Sequence, residues 1–595
     1  MFKEYFNTIR KYIKIEKKYF ILTILAVVIE TVFEVIIPLI MAYMLDSGVA
    51  VIIDARRISD EVLLSQGRRA IGLSGIGIAI CATMSLLNGW IYARCSALAA
   101  TKFGRHLREE QFIKIQSYSF SSLDKFEASA LLTRVINDSN VVQRAIGNSL
   151  RPLIRAPLLL LLGIVFSFIL SWQLALVFVV LSPMMAFIVV TILRKVAPKY
   201  VYLQKKLDKL NSKIEENLVA IRAIKSFVRK DFECKEFDKE NIDYKNTVKK
   251  THSISNLNEP FFQLFMYGGT AILMFLGGNL IIDGRIETGS LTGILSYVLQ
   301  VFNSLMMLSN VFINISKSLA SIHRINEVFK VTSPIEEDYG QEKVKLGSIE
   351  FKNVSFKYFS DAEENVLDNI NFKLDSGKTL GILGSTGSAK STLINLIPRF
   401  YDVTKGELLI DGKNVKDYDL NNLRSSIGVV FQNPVLYSGT IKENLELGNH
   451  HPDENLFKES LKISCVDEFI PRLEKGLDTV IGEGGSSVSG GQKQRLCLAR
   501  ALIKKPKILI LDDATSAVDT ATEKKIRTGL SSLDNMTKII ISQRVASVLE
   551  ADLIMILKEG KVNDIGTPSD LLKRNEIYQN LYNVQLGGVE SHGNR

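Results

Sequence analysis

Six long apolar runs in the first 330 residues constrain the fold more than any other feature of the chain. Each run approaches or exceeds the roughly 20 residues that an α-helix needs to cross the hydrocarbon core of a bilayer. Six spans of this length exclude a soluble protein. The sequence therefore predicts a six-helix transmembrane domain over residues 19–330. The predicted spans are Phe20–Leu45, Ala70–Tyr92, Leu153–Ser171, Gln173–Val196, Phe261–Ile282 and Leu291–Ile315.

Lysine and arginine residues are concentrated between these runs. The stretches Ala93–Pro152 and Arg194–Pro260 are long and basic, and cytoplasmic loops carry such an excess of positive charge. We therefore expect both stretches and the N-terminus to be cytoplasmic, with helical periodicity that extends the spanning helices beyond the bilayer. The external connections are predicted at Asp46–Arg69, at Asp283–Ser290 and in a tight hairpin near Trp172. Because the formal charge of +10 reflects these loops, nucleic acid is not an expected partner.

An amphipathic segment, residues 1–18, precedes the first span. Its apolar residues recur at helical spacing between lysines and arginines. Such a helix suits the headgroup layer of a membrane, so membrane lipid is an expected partner and a bacterial cell (plasma) membrane the expected location. The apolar residues are Phe2, Tyr5, Phe6, Ile9, Tyr12 and Ile13.

The composition changes after the last apolar run. Residues 331–347 predict a polar linker, and residues 586–595 predict a polar tail. Between them, residues 348–585 have the mixed apolar and charged texture of a soluble α/β domain. The linker residues that carry this prediction are Pro334, Glu336, Glu337, Asp338 and Gly340.

The stretch Thr379–Ile397 reads as an apolar strand, a loop of glycine and small residues, and an apolar helix. Backbone N–H groups at such a helix start wrap phosphate oxygens. Lys390 is expected to reach the β- and γ-phosphates of ATP, and the Ser391 hydroxyl to bind Mg²⁺. The fold class is therefore membrane α-helical with a C-terminal α/β P-loop ATPase domain. The predicted loop comprises Gly384, Ser385, Thr386, Gly387, Ser388, Ala389, Lys390, Ser391 and Thr392.

Further motifs follow this loop along the chain. The sequence VSGGQKQR places Ser489, Gly490 and Gly491 at a helix start, which predicts a second anion-binding nest. The next apolar strand ends in Asp512 and presents its carboxylate to Mg²⁺. Asp519 closes the following turn.

Three more side chains stand at strand ends in this half of the chain. Tyr358 follows an alternating strand, where an aromatic ring is able to stack on adenine or simply to pack. Gln432 follows a strand that ends before Pro434, and Gln543 ends another apolar strand. Whether these three residues serve a nucleotide site or only pack depends on the motifs beside them.

In order and spacing, these motifs resemble those of ATP-binding-cassette (ABC) exporters, over about residues 15 to 585. The resemblance implies one half-transporter, with a membrane domain followed by a nucleotide-binding domain. It also implies a head-to-tail pair of chains, in which each ATP lies between one P-loop and the other chain's signature. Coupling helices are implied near Ser119–Glu127 and Val228–Glu233. The implied motifs are the P-loop Gly384–Thr392, adenine-stacking Tyr358, Q-loop and Mg²⁺ ligand Gln432, signature Ser489–Gln492 (Ser489, Gly490, Gly491, Gln492), Walker B Ile508–Asp512 and D-loop Ser516–Asp519.

Three residues depart from the pattern of the family. Asp513 stands where the family has a catalytic glutamate, and Gln543 replaces the switch histidine. Ala389 replaces a glycine, and we expect its Cβ to crowd the phosphates. Aspartate is shorter by about 1.5 Å, and a displacement of about 1 Å lowers a rate on the order of a hundredfold. At this chain's own catalytic positions, Asp513, Gln543 and Gln432, we therefore expect ATP to be bound but hydrolysed poorly.

The signature, by contrast, is intact. An intact signature serves a function only if it completes a hydrolytically competent P-loop site on a different chain. The resemblance is thus specifically to the poorly hydrolytic subunit of heterodimeric exporters, and it implies a pump for drugs or other small amphipathic compounds. Two alternatives remain: a homodimeric exporter with a slow ATPase, and an ATP-gated channel or regulator of the same fold.

Two polar features interrupt the predicted spans. Glu30 and Glu34 share one helical face and are either held in a packing contact or exposed to a cavity that favours cationic molecules. The sixth span carries a polar stripe at helical spacing, which we expect to line a water-accessible path. The stripe comprises Ser296, Gln300, Asn303, Met307, Asn310 and Asn314.

Overall fold

The computed structural model describes residues 2–332, 335, 342–359 and 362–587. It divides into two compact units, one of Met1–Ser117 with Phe126–Val331 and one of Tyr118–Lys125 with Thr332–Arg595. Most of the predicted linker and tail lies outside the described residues, including Pro334, Glu336, Glu337, Asp338 and Gly340. So do the side chains of Phe2, Tyr5 and Phe6 in the predicted amphipathic helix.

The first unit is built from long helices. Six helical stretches of the described chain are long and apolar enough to cross a membrane, which confirms the predicted number of spans. A π-helical turn, Met44–Ala50, joins α2 to α3, and a second, Arg134–Asp138, joins α6 to α7. The helices up to residue 330 are α1 (Phe2–Ile15), α2 (Lys17–Tyr43), α3 (Val51–Ile58), α4 (Glu61–Gln116), α5 (Phe120–Leu123, in the second unit), α6 (Ala128–Thr133), α7 (Ser139–Leu170), α8 (Trp172–Val219), α9 (Ile221–Ser226), α10 (Lys230–Ser255), α11 (Asn258–Ile282) and α12 (Thr288–Lys330).

The connection between the first two spans differs from the prediction. Asp46–Arg69 was expected to be a loop, but helix continues to Ile58 and resumes at Glu61. Asp60 caps the new helix, because its side chain accepts hydrogen bonds from the N–H groups of the next turn at 2.8 and 3.2 Å. The prediction was wrong because apolar content marks the depth of the bilayer, whereas the helix extends past that depth.

The other connections agree with the prediction more closely. Ser171 alone separates α7 from α8, as the tight hairpin requires, and α12 begins at Thr288 inside the predicted loop Asp283–Ser290. The helix α4 runs for 56 residues and α8 for 48. Both exceed the length of a bilayer span, so the predicted extension of the helices is confirmed.

The helix α1 packs against protein rather than presenting its whole apolar face to lipid. The Tyr12 ring is buried edge-on against Phe103 of α4, with centroids 5.2 Å apart. Its hydroxyl donates to Glu110 at 2.8 Å, and Ile9 and Ile13 pack on the same apolar cluster. The helical prediction holds, but this part of the apolar face lies in a protein core.

The second unit contains two main sheets. One is antiparallel, in the order β2-β1-β4-β5, and the other has six strands in the order β12-β11-β3-β10-β9-β6. They share an apolar core that includes Phe351 and Leu408 from the first sheet and Ile382 and Ile539 from the second. The strands are β1 (Ile349–Phe356), β2 (Leu367–Leu374), β3 (Thr379–Leu383), β4 (Lys405–Ile410), β5 (Lys413–Asn414), β6 (Ile427–Val430), β7 (Gly439–Thr440), β8 (Val480–Ile481), β9 (Ile508–Asp512), β10 (Thr537–Ile541), β11 (Leu553–Lys558) and β12 (Lys561–Gly566).

The parallel strands of the larger sheet place the functional loops side by side. Ile541 of β10 pairs with Ile382 of β3 on one side and with Asp512 of β9 on the other. The carboxyl ends of these three strands are therefore level, and ligands of open α/β sheets bind at such an edge. The helices of this part of the chain are α13 (Lys390–Leu396), α14 (Leu420–Ser425), α15 (Ile441–Glu446), α16 (Glu454–Ile463), α17 (Gly490–Ile503), α18 (Thr520–Ser531), α19 (Pro568–Arg574) and α20 (Glu576–Tyr582).

Candidate nucleotide-binding and catalytic site

The predicted phosphate-binding loop connects β3 to α13. At Gly384, an added Cβ would lie 2.4 Å from the Leu557 carbonyl oxygen, so this position excludes larger residues. The buried Lys390 ammonium donates to the carbonyl oxygens of Gly384 and Ser385, both at 2.8 Å. Burial lowers the pKa of Lys390 although two nearby aspartates oppose the shift. The lysine is thus held under the loop, where phosphate oxygens are able to replace its carbonyl partners.

Ala389 precedes Lys390 with φ +70° and ψ 24°, in the left-handed region. A Cβ makes this conformation unfavourable by roughly 1–2 kcal/mol, whereas glycine adopts it freely. The sequence suggested that Ala389 would crowd the phosphates; the backbone conformation is a second reason why glycine suits this place. The remaining loop residues divide by exposure: Ser385, Thr386 and Gly387 are exposed, Ala389 is half-buried, and Ser388 and Thr392 are buried.

A carboxylate and a hydroxyl meet beside this loop. Ser391 donates to Asp512 Oδ2 at 2.8 Å, which joins α13 to the end of β9. Burial raises the pKa of Asp512, and the neighbouring Asp513 adds to the shift, while the Ser391 hydrogen bond and Lys390 oppose it. Hydroxyl and carboxylate oxygens are the ligands that Mg²⁺ prefers, so this donor set fits the predicted metal.

The two predicted catalytic positions that depart from the family pattern, Asp513 and Gln543, lie at neighbouring strand ends. Asp513 is half-buried directly after β9, with φ +46°, and its N–H donates to the Ile541 carbonyl at 3.0 Å. The side chain of Gln543 is exposed in the loop after β10. Because Ile541 and Asp512 pair in register, the two positions occupy adjacent loops at one edge of the sheet. That is the arrangement in which both side chains could act on one phosphate group.

One residue that holds the loop after β10 could not be identified from the sequence. Gln585 Nε2 donates to the Gln543 carbonyl at 3.0 Å, and Gln585 Oε1 accepts from the Val545 N–H at 2.7 Å. No local pattern marks Gln585, which lies 42 residues beyond Gln543. The last turn of the described chain therefore helps to fix the backbone that carries Gln543.

The predicted signature lies at the start of α17. Ser489 is the N-cap: its Oγ accepts from the Gln492 N–H at 3.3 Å, and its own N–H donates to Gln492 Oε1 at 2.9 Å. This capping box agrees with the predicted helix start at Gly490 and Gly491. Asp519 similarly caps α18 through the Thr522 N–H at 3.0 Å, and hydrogen bonding, above all from Thr522, lowers the pKa of Asp519.

Tyr358 and Gln432 differ in how closely they approach the loop. The Tyr358 hydroxyl shares a hydrogen bond with Thr392 of α13 at 3.0 Å, so its ring lies near the predicted nucleotide. Gln432 is exposed two residues after β6. Among the residues that the structure describes, no hydrogen bond joins Gln432 to Ser391 or Asp512. The structure brings Tyr358 to the loop but leaves Gln432 at its periphery.

The two intramembrane carboxylates of α2 each form an ion pair with an arginine of α7. Glu30 of α2 forms an ion pair with Arg151 of α7, and Glu34 forms one with Arg155. The side chain of Glu30 is only 5% exposed. These ion pairs favour the packing contact over the cavity, because a buried carboxylate requires a compensating charge; a place for either residue on the cargo path stays a prediction.

The polar stripe of α12 follows one face of the helix but is unevenly exposed. Asn303 and Asn310 are exposed, Ser296, Gln300, Met307 and Asn314 are half-buried, and Gln300 Oε1 is buried without a hydrogen-bond partner. An unsatisfied amide oxygen beside an exposed polar row is compatible with a wet surface. The path itself stays a prediction.

A helical membrane domain joined to an α/β domain with a phosphate-binding loop and a level row of catalytic loops defines the class of membrane-bound P-loop ATPases. Comparisons with known proteins are more specific. Residues 20–305 match the ABC transporter transmembrane region, and residues 367–516 match the ABC transporter family of ATP-binding domains. The chain therefore belongs to the ABC transporters: it is a multi-pass membrane half-transporter of the exporter type whose nucleotide-binding domain binds ATP and couples its hydrolysis to transport.

Similar proteins cover nearly the whole chain. It is 35% identical over 538 residues to YfiB of Bacillus subtilis (strain 168), an uncharacterized ABC transporter ATP-binding protein, spanning 90% of this chain and 93% of that protein. It is 32% identical over 592 residues to YknU of the same organism, spanning 99% and 98%. An ATP-dependent lipid A-core flippase of Haemophilus influenzae (strain 86-028NP) is 33% identical over 515 residues, spanning 85% and 87%.

Proposed function

We propose that this chain is the slowly hydrolysing subunit of a heterodimeric ABC exporter. Its own P-loop site holds ATP, and its signature completes the productive site of a different half-transporter. One observation carries the proposal: the catalytic loops are altered at Asp513 and Gln543, whereas the signature Ser489–Gln492 keeps its capped helix start.

The chemistry of the altered side chains supports slow hydrolysis. A general base typically contributes about 10²–10⁴-fold to a rate, and Asp513 extends less far from its backbone than a glutamate. Gln543 is able to donate a hydrogen bond to a phosphate oxygen but cannot carry an imidazolium charge. Ala389 adds a strained backbone next to Lys390. Each change should slow hydrolysis of the γ-phosphate. Lys390, Ser391 and Asp512, which we expect to hold the nucleotide, keep the identities of the family pattern.

We assign the Mg²⁺ that accompanies ATP to Ser391 and Asp512. When bound, the ion neutralises charge on the phosphates. Lys390 lies beneath the same loop and binds phosphate oxygens, and Tyr358 packs at the adenine end. Gln432 would join this set if the loop after β6 moves towards Ser391 on binding.

The turn between α9 and α10 supports the need for a partner chain. Phe227 is 76% exposed and Val228 86% exposed, and Val228 adopts φ +54°, which is unusual for a β-branched residue. Large apolar side chains concentrated at one tip mark an interaction site. This turn coincides with the second implied coupling segment, Val228–Glu233, and we assign it to contact with the other half-transporter.

We propose lipophilic or amphipathic small molecules as the cargo. The exposed polar stripe of α12 between apolar faces suits such compounds, and the relative named as a lipid A-core flippase supports a lipid-like class. The ion pairs of Glu30 and Glu34 leave no free carboxylate there to select cations.

The decisive experiment compares ATP hydrolysis by the full-length chain alone with hydrolysis by the chain mixed with candidate half-transporters, all reconstituted in lipid. We expect ATP binding but slow turnover for the chain alone, and a sharp increase with the correct partner. Comparable rates for the lone chain and every mixture would instead support the homodimeric exporter.

A pair of variants separates the two roles of the chain in that complex. Ser489→Ala in the signature should abolish the partner's hydrolysis, because it removes the helix cap that faces the other site. Ser426→Ala, at a serine of the same domain whose hydroxyl donates to the Asn422 carbonyl, serves as the matched control and should leave turnover unchanged. Uphill, ATP-dependent flux in vesicles distinguishes this pump from a gated channel.

A further inference from the structure

Gln494, one turn into the signature helix α17, reaches the two segments that follow Walker B. Its Nε2 donates to the Asp513 carbonyl at 3.3 Å and to Ser516 Oγ at 3.0 Å, and its Oε1 accepts from the Ala517 N–H at 2.9 Å. The side chain is 3% exposed. A single buried amide therefore ties the signature helix to the catalytic carboxylate's own backbone and to the D-loop.

The backbone packing at this place is equally close. An added Cβ at Gly491 would lie 2.7 Å from the Ala517 carbonyl oxygen, and one at Gly490 would lie 3.6 Å from Ala517 Cβ. The glycines of the signature thus permit direct contact between the start of α17 and the D-loop. The three segments can hardly move apart without breaking the Gln494 hydrogen bonds, since buried polar groups that lose their partners are strongly destabilised.

We propose that Gln494 is the positioning residue through which nucleotide at this chain's own P-loop sets the placement of its signature motif. The proposal rests on the proposed function, in which that signature serves the partner's hydrolytic site. The slowly hydrolysing site then senses nucleotide. Bound ATP fixes the conformation of Asp513 and the D-loop, and Gln494 in turn fixes the position of Ser489–Gln492.

Another buried amide in the same domain helps to distinguish a coupling role for Gln494 from the ordinary hydrogen bonding of a buried side chain. Asn444 is also buried and makes three hydrogen bonds, to the Tyr437 N–H, the Tyr437 carbonyl and the Thr440 carbonyl, at 2.8, 2.8 and 3.0 Å. Its partners belong to one local loop. The partners of Gln494 lie 19 to 23 residues away, at the residue after β9 and in the predicted D-loop.

The first test measures amide hydrogen exchange on the full-length lone chain in lipid nanodiscs without nucleotide. Gln494→Leu fills the same space but removes all three hydrogen bonds, so exchange of the Ala517 amide should accelerate at least about tenfold. Gln494→Glu keeps the acceptor for Ala517 and should retain slow exchange there. Asn444→Leu is the matched control and should leave Ala517 protected. Unchanged protection of Ala517 in Gln494→Leu would overturn the assignment.

The second test is a double-mutant cycle on the mixed complex that restores hydrolysis. Lys390→Ala weakens ATP binding at this chain's own loop and should lower kcat at the partner's site about tenfold, with little change in the KM for ATP there. In the Gln494→Leu background, the same substitution should lower kcat less than about threefold, because the connection is already broken.

Losses that multiply independently would refute the coupling, since a merely structural role predicts additivity of free energies. If Gln494→Leu does not fold, Gln494→Glu is used with the same criterion, since it loses the donor to the Asp513 carbonyl and can bond Ser516 only as an acceptor. Failure of the proposed function is distinguishable: the lone chain would then hydrolyse ATP as fast as any mixture, while the exchange experiment would still report on Gln494.

Discussion

The Tyr401 hydroxyl donates a hydrogen bond to the Asp124 carboxylate at 2.8 Å, across 277 residues of sequence. Beside this bond, the rings of Phe120 and Phe400 lie with centroids 4.3 Å apart. Both contacts lie within the second unit, to which Tyr118–Lys125 belongs although its neighbours in sequence form the membrane domain. Most of the first implied coupling segment, near Ser119–Glu127, therefore belongs to this unit, and its coupling role stays a prediction.

Removal of the Tyr401 hydroxyl should loosen α5. Burial and the nearby Asp124 carboxylate raise the pKa of Tyr401, so the hydroxyl keeps its proton at neutral pH. Tyr401→Phe should weaken the attachment by about 1.5–3 kcal/mol, the range for a hydrogen bond to a charged group, and should accelerate amide exchange of residues 120–124 at least about tenfold. Tyr418→Phe, which removes a hydroxyl bonded to the Ile410 carbonyl, is the control. Equal exchange in both variants would contradict the prediction.

The sequence was sufficient to predict the features that depend on local pattern. The P-loop, the Asp512 strand and the signature helix lie where spacing placed them, because each is a strand or helix start with its own turn residues. The six spans were likewise predictable from apolar length alone. The strand register then explains why loops from distant parts of the chain form one edge.

What the sequence could not reveal are pairings between distant residues. Arg151 lies in the predicted cytoplasmic stretch and Arg155 just inside the third predicted span, whereas in the structure they pair with Glu30 and Glu34 from 121 residues away. Gln494 and Gln585 belong to the same category, because an amide carries no signal of its partner. Backbone strain at Ala389 and Asp513 is also invisible until φ is known.

The Glu30–Arg151 pair should stabilise the membrane domain only as a pair. Glu30→Gln leaves the half-buried Arg151 guanidinium uncompensated and should destabilise the domain by less than the about 3–5 kcal/mol of a fully buried pair, whereas Glu30→Leu with Arg151→Met should be nearly neutral. The measurement is the fraction of monodisperse protein after heating in detergent. Asp54→Asn, which disrupts an exposed pair with Arg57, should have almost no effect.

The same experiment distinguishes a structural pair from a cargo site. If the carboxylates are structural, Glu30→Gln with Glu34→Gln should lower thermostability and transport of all cargo together. Selective loss of cationic dye export, with thermostability intact, would restore the cavity interpretation for these residues.

Asp411 should make the nucleotide-binding domain sensitive to acid. Burial alone would raise the pKa of Asp411, but four backbone N–H groups donate to its carboxylate and hold the net pKa below its ordinary value. A lowered folded pKa adds stability above the unfolded pKa of about 3.9, and that stability disappears as the pH falls through the folded value. The donors are the N–H groups of Lys345, Leu346, Gly347 and Ser348, at 2.8 to 2.9 Å.

Asp411→Asn should remove this dependence. At neutral pH the variant should lose about 1.5–3 kcal/mol, the range for hydrogen bonds to a charged group, and its midpoint of unfolding should vary less with pH between about 2 and 5. Amide hydrogen exchange of the nucleotide-binding domain within the full chain, followed over denaturant concentration and pH, measures both, because the two tryptophans, Trp90 and Trp172, lie in the membrane domain. Asp375→Asn, an exposed acid in the turn before β3, is the control; an equal acid dependence in wild type and Asp411→Asn would exclude the stabilising role.

The last prediction concerns recovery of hydrolysis at this chain's own site. Asp513 and Gln543 occupy adjacent loops at the level ends of β9 and β10, so their side chains should act on one γ-phosphate. Asp513→Glu restores the reach of a general base, and Gln543→His restores a group able to carry positive charge. The two together should therefore raise single-turnover hydrolysis by the lone chain more than the product of the separate gains.

The matched control is Asp513→Asn with Gln543→His, which keeps the size of the side chain but removes the base and should show no gain. The positive φ of Asp513 works against glutamate, since aspartate tolerates the left-handed region better, so the combined gain should fall short of the full 10²–10⁴ of a general base. Strictly additive or absent gains would contradict a shared phosphate. The variant Ala389→Gly, made by itself, then identifies what limits hydrolysis. If it restores turnover by relieving the backbone before Lys390, the P-loop limits hydrolysis rather than the missing base.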